Sequence, residues 1–286
     1  MPDVALARDA LRDVEPVPGV AKPDPILVVD GIRRSFGGLM AVDIDHLEIQ
    51  RGVITALIGP NGAGKTTLFN LLTGFDRPSA GRWVFDGQDV TRLPPHRVAR
   101  AGMVRTFQLT KALSRLTVLD NMKLGGTGQR GERFFSALAR PLWRDQEHDI
   151  EERADELLVR FTLDHMRDEL AGTLSGGQRK LLEMARALMV EPSLVMLDEP
   201  MAGVNPALTQ SLLGHVTGLR DEGMSVVYVE HDMDVVMDIS DWIVCLARGV
   251  VIAEGPPEAV AADPAVIEAY LGTSYRDPAE GAEETT

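Results

Sequence analysis

Ile54-Thr55-Ala56-Leu57-Ile58-Gly59-Pro60-Asn61-Gly62-Ala63-Gly64-Lys65-Thr66-Thr67-Leu68-Phe69-Asn70-Leu71-Leu72 is the stretch on which the fold turns. A short apolar run suited to a strand enters a turn that fits G-x-x-x-x-G-K-[ST], and the turn opens into an apolar helix. Glycines let backbone N–H groups curl around phosphate oxygens, and the helix N-terminus adds partial positive charge. Lys65 is expected to reach the β and γ phosphates, and Thr66 to offer a hydroxyl to Mg2+. The reading is a nucleoside triphosphate cradle. A glycine-rich turn with an exposed lysine is the plainer alternative, and it gives no reason for a strand before and a helix after.

Outward from the cradle, two more runs read as strands, Leu194-Val195-Met196-Leu197 and Ser225-Val226-Val227-Tyr228-Val229. Their hydrophobicity is nearly continuous, which implies strands covered on both faces and hence a parallel sheet wrapped by helices. The fold class is α/β. Residues 26–49 and 82–90 read as short strands with polar interruptions, which suits an antiparallel flap beside that sheet. Residues from about 109 to 190 read as mainly helical. Within them the stretch 125–144 is rich in glycine and arginine: Arg130, Arg133, Arg140 and Arg144 lie beside Phe134, Phe135 and Trp143. It suits a solvated surface loop or a contact with lipid headgroups. The prolines and scattered charges of residues 1–25 suggest a mobile leader, and 273–286 a mobile acidic tail, leaving 26–272 as the folded unit. Before the tail, Asp263-Pro264 starts a short helix that Gly272 is expected to end, read as packing rather than chemistry.

Composition bounds the partners. The chain has 286 residues, enough for one large domain or two lobes, with 29 basic and 43 acidic side chains for a net charge of −14. Such a field repels polyanions, so no nucleic-acid partner is expected and phosphate chemistry must be local. The single cysteine, Cys245, sits in an apolar run and reads as a small core residue; a reducing compartment fits. No run approaches the 18 apolar residues of a membrane span.

Two further motifs carry chemistry. The run 194–197 leads into Asp198-Glu199-Pro200. Ligands of parallel sheets collect at the carboxyl ends of strands, so these acids fall beside the cradle if both strands share a sheet. Asp198 would hold Mg2+, and Glu199 would orient or deprotonate an attacking water. A surface turn with two acids is the alternative. Upstream, Leu174-Ser175-Gly176-Gly177-Gln178 precedes an amphipathic helix and forms either a second anion-facing element or an ordinary serine cap with flexible glycines.

On these residues the sequence resembles the ATP-binding cassette family over about 26–272. GPNGAGKTT (59–67) is similar to its P-loop, LSGGQ (174–178) to its signature, LVMLDEP (194–200) to its Mg2+ strand, and VYVEHD (227–232) to its switch segment with His231. The resemblance implies a P-loop NTPase core of RecA-like type, with a parallel sheet, an antiparallel β subdomain and a helical signature subdomain. It implies ATP and Mg2+ as ligands, and Glu199, His231 and Gln108 of VRTFQ (104–108) in catalysis, with Thr66, Gln108 and Asp198 toward the metal. Phe36 would stack on adenine, where tyrosine is frequent, against the alternative of a core residue. Ala202, Gly203, Val204 and Asn205 match the loop that crosses the dimer interface, with Asn205 where an acid is often found. His231 has the alternative of a helix-start histidine.

In that family two chains pair head to tail, each signature closing on the other chain's ATP. Within it the chain is similar to the ATPase subunits of branched-chain amino acid importers, in its long segment before the signature, in the phrase 198–206 and in EGPPEAVAADPAVIEAYLG (254–272). That implies a second cassette of the same or a related kind, a transmembrane permease, an extracytoplasmic solute-binding protein, and a place on the cytoplasmic face of the membrane. ATPases of lipid or lipopolysaccharide export and of urea or amide uptake stay open as alternatives, with a soluble cassette of repair or translation a further one.

Overall fold

The structure, a computed structural model, describes residues 4–106, 114–126 and 141–274. In chain order the elements are α1 (Val4–Leu11), β1 (Pro25–Phe36), β2 (Leu39–Gln50), β3 (Ile54–Ile58), α2 (Lys65–Leu72), β4 (Ala80–Phe85), β5 (Gln88–Asp89), α3 (Pro95–Arg100) and β6 (Met103–Arg105). There follow α4 (Val118–Lys123), α5 (Pro141–Arg160), α6 (Gly176–Ala187), β7 (Leu194–Asp198), α7 (Pro206–Asp221), β8 (Ser225–Val229), α8 (Met233–Ile239), β9 (Trp242–Ala247), β10 (Val250–Gly255), α9 (Pro257–Ala261) and α10 (Pro264–Ser274).

Two sheets organise them. The larger runs β10-β9-β3-β8-β7-β6, parallel except for β10, which turns back against β9. The smaller runs β2-β1-β4-β5 and is antiparallel throughout. Strand periodicity divides the large sheet between two cores, because successive side chains point to opposite faces. Ile54, Ala56 and Ile58 of β3, with Val195 and Leu197 of β7 and Val226 and Tyr228 of β8, join the helices α4–α7. Leu57, Met196, Val227, Val229 and Val244 face the other way, onto α2 and the small sheet's Leu27, Leu47, Trp83 and Phe85. Trp83 also donates from Nε1 to Leu72 O at 3.1 Å, tying the flap to the end of α2. Strands buried on both faces explain the continuous apolar runs, and each fully buried Leu or Val contributes about 1.5–3 kcal/mol. Cys245 lies in the first core, and burial pushes its thiol pKa up to about 12, which makes it a packing residue.

Three expectations need correction. Residues 4–24, read as part of a mobile leader, are built into the fold. α1 buries Ala7 and Leu11 in the second core, Arg8 pairs with Asp241 at 2.7 Å, and Lys22 Nζ pairs with Glu254 at 3.1 Å with both side chains fully buried. The segment holds through polar contacts more than apolar area, which composition does not register. At the other end α10 runs through Gly272 to Ser274, at the cost of about 1 kcal/mol for a glycine inside a helix. Within the stretch 125–144, α5 already begins at Pro141, a residue suited to the first helical turn; 127–140 lie outside the described residues. Among the described residues no helix is long and apolar enough to cross a membrane.

Candidate functional site

β3 and β7 share the large sheet with only β8 between them, so the cradle and the Asp198-Glu199 pair stand at the same edge. Both cradle turns require glycine. Gly59 has φ +142, and a Cβ there would lie 2.0 Å from Leu246 O; Gly64, before α2, has φ +103, and its Cβ would lie 2.4 Å from Ala41 O. Between them Pro60 lines the turn, Asn61 and Gly62 face solvent, and Ala63 is buried. Lys65, the first residue of α2, is only 6% exposed. Its ammonium donates to Gly59 O at 2.6 Å and Pro60 O at 3.0 Å, folded back onto its own loop. Burial lowers its pKa, opposed by Glu199, Cys245 and Asp198. Thr66 is exposed and Thr67 half-buried behind it.

Asp198 ends β7 in a cationic clasp. Arg105 at the end of β6 reaches Asp198 Oδ2 at 2.6 Å and Asn70 Oδ1 at 2.6 Å, with side chains 7% and 11% exposed for the arginine and the aspartate. Glu199 follows in the left-handed region at φ +48, unusual for a residue with a side chain. Its N–H donates to Val229 O at 3.0 Å, and its carboxylate meets His231 Nε2 at 2.7 Å. His231 is exposed, one residue before Asp232, whose own carboxylate caps α8. The helix-start alternative therefore falls to Asp232, not to the histidine. Phe36, at the end of β1, is 48% exposed, with the Arg34 guanidinium 4.4 Å from its ring centre. That corrects the alternative of a core phenylalanine.

The signature residues lie at the start of α6. Ser175 is the N-cap: its Oγ accepts from Gln178 N–H at 3.2 Å while Gln178 Oε1 accepts from Ser175 N–H at 2.9 Å. The capping alternative is thus satisfied, and Ser175 still faces outward beside the exposed Gly176, with Gln178 half-buried. Leu174 is buried, and Gly177 is buried where a Cβ would strike Leu208 of α7. Asn205 caps α7, accepting from Leu208 N–H at 3.0 Å, and Ala202, Gly203 and Asn205 face solvent with Val204 half-buried. Gln108 lies outside the described residues.

Four side chains that the sequence reading gave no role also shape the site. Besides Arg105, Glu230 is buried and accepts from Met201 N–H at 2.8 Å and His231 N–H at 3.3 Å. Lys180 of α6 donates to Glu199 O at 2.9 Å. Tyr270 of α10 accepts from Gly59 N–H at 2.9 Å, so a helix read as packing holds the first glycine of the cradle. Arg105 lies inside the VRTFQ phrase, but no local pattern distinguishes Lys180 or Tyr270 from ordinary helix residues.

Known proteins are similar to this chain in sequence and fold. Residues 42–202 match the family described as ABC transporter, and residues 250–276 match the family described as branched-chain amino acid ATP-binding cassette transporter. A probable branched-chain amino acid transport ATP-binding protein LivG of Archaeoglobus fulgidus is 43% identical over 86% of this chain and 95% of its own length. The high-affinity branched-chain amino acid transport ATP-binding protein BraF of Pseudomonas aeruginosa is 42% identical over 87% and 98%. Among solved structures, a nucleotide-free ATP-binding cassette from an ABC transporter superposes with TM-score 0.76 at 37% identity, over 86% of this chain and 98% of that one. The chain therefore belongs to the ABC transporter family, as an ATP-binding and ATP-hydrolysing cassette.

Proposed function

We propose that this chain powers the uptake of branched-chain amino acids through a membrane permease, with Mg2+-ATP as fuel. The observation that carries the solute class is the match of residues 250–276, a segment that also supplies Tyr270 to the cradle. ABC ATPase subunits dimerise and work with transmembrane permease components. We place the chain at the cytoplasmic face of the membrane, docked on its permease, with an extracytoplasmic solute-binding protein delivering the amino acid. The folded unit is 26–272 with α1 and its following segment added, and α4–α6 form the helical lobe.

The residues suit the ligand. Thr66, Asp198 and Gln108 would offer hard oxygen donors, the type Mg2+ prefers. When bound, Mg2+ neutralises charge on the β and γ phosphate oxygens. Lys65 exchanges its loop carbonyls for phosphate oxygens, a move that removes an ammonium from a desolvated pocket with only carbonyl partners. The exposed ring of Phe36 stacks on adenine while Arg34 holds its other face. Glu199 orients the attacking water, and its hydrogen bond to His231 keeps carboxylate and imidazole aligned for the γ-phosphate. The exposed Ser175 and Gly176, with Gln178, close on the nucleotide of a second cassette, and Ala202–Asn205 cross between the two.

The complete transporter, reconstituted in vesicles, tests the reading. Leucine, isoleucine or valine should accelerate ATP hydrolysis while urea and lipid extracts do not; stimulation by either of the latter alone would overturn the solute class. Glu199→Gln should bind ATP with unchanged affinity and lose hydrolysis by about a hundredfold or more. Undiminished turnover in that variant would remove Glu199 from the reacting water.

A further inference from the structure

We propose that Lys180 is a positioning residue through which the signature helix α6 sets the backbone of Glu199 in its own chain. Glu199 is held at four points. Its N–H donates to Val229 O at 3.0 Å, its carbonyl accepts from Ala202 N–H at 3.2 Å and from Lys180 Nζ at 2.9 Å, and its carboxylate meets His231 Nε2 at 2.7 Å. Three of these partners come from β8, from the turn that follows Glu199, or from the second residue beyond β8. Lys180 alone comes from α6, five residues after the Ser175 cap.

The contact bears on a backbone that needs support. At φ +48 a glutamate sits in a region where its Cβ crowds the chain, so neighbouring contacts must hold it there. A charged donor on the carbonyl is stronger than a neutral one, and Lys180 is half-buried between α6 and the Glu199 turn, facing Glu230 and Glu183 as well. The exposed Ser175 and Gly176 and the half-buried Gln178 form the N-terminal end of the same helix. Occupancy at that end and the aim of the Glu199 carboxylate are thereby linked by one rigid helix and one hydrogen bond. Each chain's hydrolytic carboxylate is then adjusted by the nucleotide that its signature contacts in the other cassette.

The inference rests on Glu199 acting at the water, and the experiment separates the two. Full-length chains with Lys180→Met, Lys180→Arg and Glu199→Gln, each assembled with permease and companion cassette, are compared for kcat, KM, ATP affinity and thermal midpoint. Lys180→Met should lower kcat by about tenfold with KM and ATP affinity within about twofold, and Lys180→Arg should restore most of the loss. Glu199→Gln stalled beside a Lys180→Met of wild-type kcat overturns the Lys180 role alone. Turnover in Glu199→Gln overturns the reading beneath it. A loss in Lys180→Met that tracks a lower midpoint, or falls equally on ATP affinity, or is not restored by arginine, also overturns it by reducing Lys180 to a structural contact.

Discussion

Glu183 lies on α6 one turn beyond Lys180, and burial raises its carboxyl pKa from an ordinary 4.5 to about 7, despite the opposing charges of Arg186, Lys180 and Arg179. Between those two values the native chain carries more protons than the unfolded chain. The group's contribution to stability is therefore complete below about 4.5 and is lost as pH rises through about 7. Glu183→Gln removes the titration and keeps the shape. The wild type should lose more thermal stability than the variant between pH 5 and pH 8, read as the difference of their melting midpoints at each pH. A difference that stays flat across that range would mean that Glu183 ionises in the fold as it does in water. The same helix shows why single residues were unevenly legible. Asp198 and Glu199 announce themselves because acids rarely follow four buried apolar residues, whereas a lysine or glutamate in mid-helix usually marks a solvated face. Lys180 finds the Glu199 carbonyl, 19 residues away, and Glu183 its burial only once the chain has folded, and no local window of sequence contains either.

The N-terminal segment carries the corresponding lesson for elements. From Pro23 back to Val4 its apolar content is too low to suggest order, yet it crosses from β10 to β2 through a buried polar network. Glu254 accepts from Val20 N–H, Lys22 Nζ and Trp242 Nε1, Lys22 N–H donates to Glu48, and the Lys22 ammonium lies 4.7 Å from the Trp242 ring centre. Desolvation lowers the lysine pKa, against the pull of Glu254 and Glu48. Such a pair is worth little in itself, but breaking it strands a charge. Lys22→Met should cost about 3–5 kcal/mol because it leaves Glu254 without its cation. Adding Glu254→Gln should recover much of that loss, a coupling read from urea midpoints of the two single variants and the double variant. Additive single effects would show that Lys22 and Glu254 act independently. The centre of the large sheet was legible for the opposite reason: β3, β7 and β8 are nearly continuous apolar runs, as strands buried on both faces require. The end of α10 was not legible, because a glycine both stops helices and survives inside them.

At the scale of the molecule, the two glycine-rich elements of one chain sit on different parts of the fold. The cradle stands at the carboxyl edge of β3, whereas Ser175 and Gly176 stand at the outer end of α6, both exposed, with Ala202, Gly203 and Asn205 equally open. Water satisfies these exposed glycine-rich turns in the single chain, and under the proposed function a nucleotide held by another cassette would replace it with charge-assisted hydrogen bonds. Under the proposed function ATP would act as a ligand shared by both chains, so that binding stabilises the pair and hydrolysis releases it. The rate per chain must therefore depend on concentration. In full-length preparations free of permease, hydrolysis per chain should fall steeply over about a hundredfold dilution, while ATP binding to the cradle persists because Lys65 and the loop amides belong to one chain. Light scattering on the same samples fixes the fraction of pairs. A constant rate per chain in samples shown to be monomeric would mean that Glu199 and His231 suffice without the partner's signature, and the paired arrangement would then serve transport but not chemistry.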